Sequence, residues 1–325
     1  MRIFNYLKNN KKLSTLIIII LVVTGVSIIA GTGINIFEKK NPATASGKVS
    51  GAALQKLIES NKAKYYPKTD WLESHPQDLQ LSSKGAIILD YETNQVLLDN
   101  NMHTKLPPAS ITKVLTSLIA LENFKPDQLC TVSQEAADTE AFKIVMNAGE
   151  QMTVRDLVYG MMMISANDAA EVIAECDPGG KKAFIDKMNE KVKELGLTDS
   201  HFVTPNGLDD PEHLASAFDM ATITAYAIRT QPDFLTYMGR VDDYSVPATE
   251  HNEPHSYYQL STLLKTYPGM EGAKTGFTYD AGNTYIGVAS QEGRRIIIVY
   301  LDANSKTYDA TTMIEQGFFL NPVAK

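Results

Sequence analysis

The sequence predicts an α+β fold: a five-stranded antiparallel sheet built from both ends of one domain, flanked by helices, with a helical subregion between them. Three observations predict it. Two strand-like runs at 85–91 and 95–100 open the domain, flanking Glu92-Thr93-Asn94 as a hairpin would. Three more, at 273–278, 284–290 and 295–301, close it. The stretch between them repeats its apolar residues with helical spacing.

The elements follow in chain order. MRIFNYLKNNKK is basic, and the nearly uncharged run at 13–37 is long enough to cross a bilayer as a helix. Residues 1–12 are therefore expected in the cytoplasm, 13–37 as an uncleaved anchor, and the remainder outside the cell. Residues 38–82 are polar, with Pro42, Pro67 and Pro76, and read as an extracellular spacer with a helical candidate at 52–60 and the only tryptophan, Trp71. The domain proper is expected at 83–320, followed by a tail at 321–325.

Within the domain, Pro107-Pro108 precede a helix at 110–122, where Ile111, Val114, Leu115, Leu118 and Ile119 form one apolar face. Thr153 and Asp156 predict an N-terminal cap for a helix at 153–162. The Met161–Met163 run reads as core filler. Further helices are expected at 168–176, 182–195, 215–228 and 310–318.

Composition narrows the function. The chain has 325 residues, 30 Lys and Arg, and 38 Asp and Glu. Six bases and one acid fall in the first 40 residues, leaving 24 bases against 37 acids, a net of −13. Such an acidic body is a poor partner for nucleic acid. The two cysteines, Cys130 and Cys176, leave one disulfide open, but sequence separation alone cannot establish a bridge and two buried, unpaired thiols are the preferred reading. No Cys/His cluster calls for a metal, and no cofactor is expected.

Three short motifs carry the chemistry. Ser110-Ile111-Thr112-Lys113 sets a hydroxyl at a helix start with an amine one turn on, so that a lysine of lowered pKa can act as base for the serine. Ser165-Ala166-Asn167 offers a hydroxyl and an amide between two helices. Lys274-Thr275-Gly276 lies on a strand, where the lysine can lower the pKa of Lys113 or hold a carboxylate, and the glycine admits a substrate backbone. Each alone is commonplace. Their order, at separations of 55 and 109 residues, is informative.

That constellation resembles the penicillin-binding and serine β-lactamase superfamily. PPASITKV, TVRDLVYGMMMISANDAAEVIAE, TPNGLDD, AFDMA and YPGMEGAKTGFT look like the low-molecular-mass penicillin-binding proteins that are serine D-Ala-D-Ala carboxypeptidases. The resemblance implies a β-lactamase/transpeptidase-like fold and a nucleophile at Ser110. It implies Lys113 as base, Ser165 as proton relay to the leaving amine, and Asn167, Lys274, Thr275, Gly276, Phe277 and Thr278 as substrate-binding residues. The N–H groups of Ser110 and Phe277 would form the oxyanion hole. The implied partners are stem pentapeptides ending in D-Ala-D-Ala, with β-lactams as covalent inhibitors. Three departures stand out: Ala166 where the family often has Gly, no Gly-Ser-Ser in DTEAFKIVMNAGE, and no asparagine in YYQLSTLLK. The chain also ends soon after the expected last helix, so the apolar run at 13–37 would replace a C-terminal membrane helix.

Three rivals are weaker. A class A β-lactamase needs a Glu-x-x-Leu-Asn segment, absent between Ser165 and Lys274. A metal peptidase would have to use His251 and His255, which flank Pro254 and form no HExxH motif. A non-catalytic wall-binding module would not need a nucleophile beside a base.

The expected anchor has a direct check. Full-length protein should remain with membranes washed in carbonate, whereas a mature chain beginning near Ser46 would refute the anchor and leave export standing.

Overall fold

The computed structural model describes residues 51–320 and Pro322. The expected anchor at 13–37, the cytoplasmic tail and most of the C-terminal tail lie outside the described residues. Among the described residues no helix is long and apolar enough to cross a membrane.

The main sheet has five antiparallel strands: β1 (Gly85–Asp90), β2 (Val96–Asn100), β3 (Met270–Thr278), β4 (Gly282–Gln291) and β5 (Arg294–Ala303). Their spatial order is β2-β1-β5-β4-β3. The first strand of the domain pairs with its last, Gly85 opposite Leu301 and Asp90 opposite Ile296, so the sheet joins both ends of the domain as the sequence predicts. The late strands exceed their predicted bounds because their polar ends still pair, as in Thr278 opposite Gly282 and Gln291 opposite Arg294.

Successive side chains of a strand point to opposite faces. Ile87, Leu89, Val288, Ile297 and Val299 pack into the core shared with the helical subregion. Ile88, Ala289, Ile296 and Ile298 pack on the other side with Ala310, Met313 and Ile314 of the last helix. Both faces are covered, which explains why β1 and β5 read as continuous apolar runs rather than alternating ones.

The principal helices are α1 (Gly51–Tyr65), α2 (Lys113–Asn123), α3 (Val154–Met163), α4 (Asn167–Glu175), α5 (Gly180–Glu194), α6 (Ala217–Thr230) and α7 (Tyr308–Phe319). Thr153 caps α3 by accepting from the Asp156 N–H, the cap the sequence predicts. Met161, Met162 and Met163 are buried in the core.

Three differences from the sequence expectations have physical causes. First, the helix expected at 110–122 begins as a 3-10 turn, Ala109–Thr112, and is α-helical only from Lys113, because Ala109 has φ 49°, outside the right-handed helical region. Second, the described part of the expected spacer is docked on the domain. Asn61 donates to the Glu194 carbonyl, Tyr65 meets Tyr226 edge-on with ring centroids 4.9 Å apart, and Lys68 bridges to Gln95. Polar composition concealed this because the docking uses a few aromatic and main-chain groups. Third, Cys130 and Cys176 form a disulfide, with Cα atoms 5.4 Å apart, correcting the reading of two thiols. Cys130 lies on the short strand Leu129–Thr131 and Cys176 just past α4, a proximity that only tertiary packing creates.

The bridge closes a loop with a sequence separation of 46. Cys130→Ser with Cys176→Ser is expected to lower unfolding free energy in urea by about 2–4 kcal/mol. Unchanged stability, with reductant making no difference to the parent protein, would contradict the bridge.

Candidate active site

The three motifs meet at one end of the sheet. The Ala109–Thr112 turn lies against β3, the edge strand that carries Lys274 to Thr278. Two glycines permit the approach. A Cβ at Gly276 would stand 2.3 Å from Thr284 Oγ1 and 2.9 Å from the Ser110 nitrogen. A Cβ at Gly207, which has φ +85°, would stand 2.0 Å from the Ala109 carbonyl oxygen. Only a residue without a side chain fits either place.

Ser165 has φ 60°, in the left-handed region that L side chains rarely adopt. This break ends α3 and starts α4, and it brings the Ser165 hydroxyl to the Lys274 amine at 2.9 Å. Ala166 has an ordinary φ of −56°. The glycine common there in the family is thus not required for backbone freedom, and the Ala166 methyl is buried without a clash.

Lys113 is fully buried and its Nζ has three oxygen neighbours: Ser110 Oγ at 2.9 Å, Asn167 Oδ1 at 2.7 Å and the Asn206 carbonyl at 2.6 Å. A neutral amine has two hydrogens and one lone pair. The two carbonyl oxygens can only accept, so they take the hydrogens, and the lone pair is left for the Ser110 O–H. Burial holds the Lys113 pKa well below the ordinary lysine range, and the Lys274 cation lowers it further, while Glu171 and Asp168 oppose. Lys274, also buried, is brought down to about 7 by burial alone. The repulsion between the two cations is mutual, so the pair holds its second proton poorly, and Lys113, whose amine lies beside Ser110 Oγ, is the one placed to take the serine proton.

Asn167 is held from both ends. Its Nδ2 donates to the Glu140 carbonyl and its N–H to the Phe142 carbonyl. Asp168 accepts from the N–H groups of Ile144 and Val145. The segment at 138–150, which lacks the family's Gly-Ser-Ser, is thus latched by its main chain and sets Phe142 against the cleft. Across the opening, Gln259 accepts from the Ser261 N–H and donates to the Arg240 carbonyl, fastening the loop where the expected asparagine is missing.

The resulting cleft of about 170 Å³ is lined by Ser110, Ser165, Thr275, Gly276 and Phe277, with Phe142 and Leu260 at its walls. Thr278 lies outside this lining and donates to Asp209. His255 pairs with Glu150 at 2.9 Å, and among the described residues no group of three or more His, Cys, Asp and Glu side chains could hold a metal.

Two functional neighbours escape the motifs. The Asn206 carbonyl binds Lys113, whereas TPNGLDD entered the family resemblance with no role given to Asn206. His213, buried and lowered to about 4, accepts main-chain hydrogen bonds at Nδ1 from Val203 and Thr204. Its Nε2–H is therefore left to donate to Thr112 Oγ1 at 2.9 Å, steadying the turn beside Lys113. Sequence gave no signal for it, since a lone histidine carries no pattern.

Gly276→Ala should fold but move β3 off Ser110. The rate of Ser110 labelling by a fluorescent penicillin is then expected to fall about 10²-fold. Labelling at the parent rate would show that the close approach does not matter.

Comparisons with known proteins agree with this architecture. The sequence model of the D-alanyl-D-alanine carboxypeptidase family, peptidase S11, matches residues 72–305. The chain is 32% identical over 251 residues to D-alanyl-D-alanine carboxypeptidase DacF of Bacillus subtilis, covering 74% of this chain and 63% of that protein. It is 35% identical over 248 residues to DacB2 of Mycobacterium tuberculosis, covering 73% and 83%. Among solved structures, a D-alanyl-D-alanine carboxypeptidase from Mycobacterium tuberculosis superposes with a TM-score of 0.70 at 30% identity, covering 77% of this chain and 97% of that one. The Streptomyces K15 DD-transpeptidase gives 0.71 at 25%, covering 75% and 100%. With a family match over most of its length and its three motifs gathered in one cleft, this chain belongs to the D-alanyl-D-alanine carboxypeptidase family of serine peptidases.

Proposed function

We propose that the protein is a serine D-alanyl-D-alanine carboxypeptidase, removing the terminal D-Ala from peptidoglycan stem pentapeptides through an acyl-enzyme on Ser110. The observation that carries this reading is the lone pair of Lys113, which two carbonyl acceptors leave to Ser110 alone. In the first step Ser110 Oγ bonds to the penultimate D-Ala carbonyl carbon while its proton passes to Lys113. The oxyanion is held by the N–H groups of Ser110 and Phe277. The C–N bond then breaks, and the proton leaves with D-Ala by way of Ser165. Water completes the cycle by opening the ester.

Substrate binding follows from the edge position of β3. Outward main-chain groups of an edge strand are free to pair with an extended peptide. Lys274 in its protonated form takes the terminal carboxylate with Thr275, and Asn167 holds the substrate amide. Gly276 lines the path of the peptide, and Thr278 stands where β3 leaves the cleft, within reach of a longer peptide. A penicillin has the same carboxylate and acyl group and forms the corresponding ester.

The catalytic domain works outside the cell, held at the outer face of the bacterial membrane by residues 13–37. A disulfide supports that location, since such bonds persist in oxidising compartments.

Ser110→Ala should abolish both penicillin labelling and D-Ala release, and Lys113→Ala should slow acylation by about 10²–10⁴-fold while leaving ligand binding intact. Lys274→Ala should lose acylation and turnover in a folded protein. A penicillin adduct mapped to Ser165 would overturn the assignment.

The pH dependence has a definite sign. Peptidase kcat/KM should rise as Lys113 loses its proton and fall as Lys274 loses its own, an alkaline limb starting near the value of about 7. A rate that holds level across the alkaline side of neutrality would refute the role given to the Lys274 charge.

A further inference from the structure

Lys113 rests on the main-chain carbonyl of Asn206. The side chain of the same asparagine donates from Nδ2 to Glu171 Oε1 at 2.7 Å. Glu171 lies on α4 four residues after Asn167, whose Oδ1 is the other acceptor of Lys113. One turn of α4 therefore carries both a direct partner of the base and a carboxylate one residue removed.

Glu171 is only 5% exposed. Its second oxygen forms an ion pair with Lys181 Nζ at 2.6 Å, and Lys181, half-buried, also reaches Glu135 at 3.4 Å. A line of contacts thus runs from a solvent-facing cation to the buried amine: Lys181, Glu171, Asn206, Lys113. No motif in the sequence includes Glu171 or Lys181.

Burying a carboxylate costs several kcal/mol before pairing, so its charge calls for a reason. A neutral glutamine at 171 would hold Asn206 as well. What the charge adds is electrostatic. Lys113 must be neutral before the reaction and cationic during it, beside a second buried lysine. Four titratable groups face it: Lys274 disfavours the cation, Glu171 and Asp168 favour it, and His213 is neutral. Asp168 is already engaged with the N–H groups of Ile144, Val145 and Ala169. Glu171 in turn faces Lys181, Glu135 and Glu175.

We propose that Glu171 is a positioning residue for the acylation of Ser110. Through Asn206 it fixes the Lys113 amine, and its carboxylate, moderated by Lys181, supplies the negative charge against which Lys113 takes up the serine proton.

The inference rests on Lys113 being the base, and the pH dependence of penicillin acylation separates the two. In Glu171→Gln the acidic limb should move to lower pH by about one unit, because a charge that favours the Lys113 cation is gone. In Lys181→Gln it should move to higher pH, because the Glu171 charge is no longer offset. A purely structural role would change the plateau rate and leave both limbs in place. A limb that stays, or moves the opposite way, in either variant overturns the proposal. Should Glu171→Gln fail to fold, Lys181→Gln alters only a half-exposed side chain and is sufficient to refute it. Acylation lost in Lys113→Ala with an unmoved limb in Glu171→Gln would sink this inference alone, whereas acylation retained in Lys113→Ala would sink the reading of the base.

Discussion

Two lysine amines buried in one cleft are the constraint on which the rest of the structure depends. An ammonium withdrawn from water loses several kcal/mol of solvation, which its surroundings must replace or avoid. Here the surroundings do different things for each amine. Lys113 is given neutral carbonyl acceptors and a nearby cation, so the neutral amine is favoured. Among the described residues, the amine of Lys274 is given only the Ser165 hydroxyl and the Thr275 carbonyl as hydrogen-bond partners, and no carboxylate. The arrangement carries a stability cost with a definite sign. Between the Lys274 value of about 7 and the unfolded value of about 10.4, the folded state holds fewer protons than the unfolded one. Stability therefore rises with pH through that window, and the full cost is present below it.

Holding two such amines together demands backbone contacts that a looser fold would not tolerate. The Ser110 turn touches β3 only because Gly276 has no side chain, and touches the 204–210 loop only because Gly207 has none. Ser165 reaches Lys274 from a left-handed backbone that the ends of α3 and α4 fix on either side. Asp168 ties α4 to the cleft wall and the disulfide ties the other end of α4 to the strand at Leu129–Thr131. The helix bearing Asn167 and Glu171 is thus secured at both ends, as expected for an element that must hold oxygen atoms at fixed distance from an amine.

Much of this was legible in the sequence, for physical reasons that also explain the rest. The apolar spacing of Val114, Leu115 and Leu118 marks α2 because a helix with one buried face leaves that imprint. The continuous apolar runs of β1 and β5 reflect a sheet covered on both sides. The three motifs were visible because each is short and local. What stayed hidden is what depends on distant partners. Cys130 and Cys176 meet through the packing of α4 on a three-residue strand. Asn206 acts through its carbonyl, which every residue possesses. Glu171 reads as an ordinary polar position on an amphipathic helix until Asn206 and Lys181 are placed beside it. Helix α1 docks through Asn61 and Tyr65, too few groups to leave a pattern.

The acids of the site separate the two chemistries that its motifs could serve. A serine β-lactamase of class A turns over because a glutamate directs water at the acyl-enzyme. Among the described residues the cleft lining contains no aspartate or glutamate. The nearest buried carboxylates are committed elsewhere, Asp168 to main-chain N–H groups and Glu171 to Asn206 and Lys181. Neither is free to activate a water against an ester on Ser110. An acyl group whose leaving amine stays tethered, as in an opened penicillin, would then persist on the serine. On the proposed reaction D-Ala departs from a peptide substrate, and the vacated space admits water beside a Lys113 returned to its neutral form. On that reading the pair of atoms proposed to activate the serine also serves the hydrolysis, which is why a cleft without a catalytic carboxylate suits a carboxypeptidase better than a lactamase.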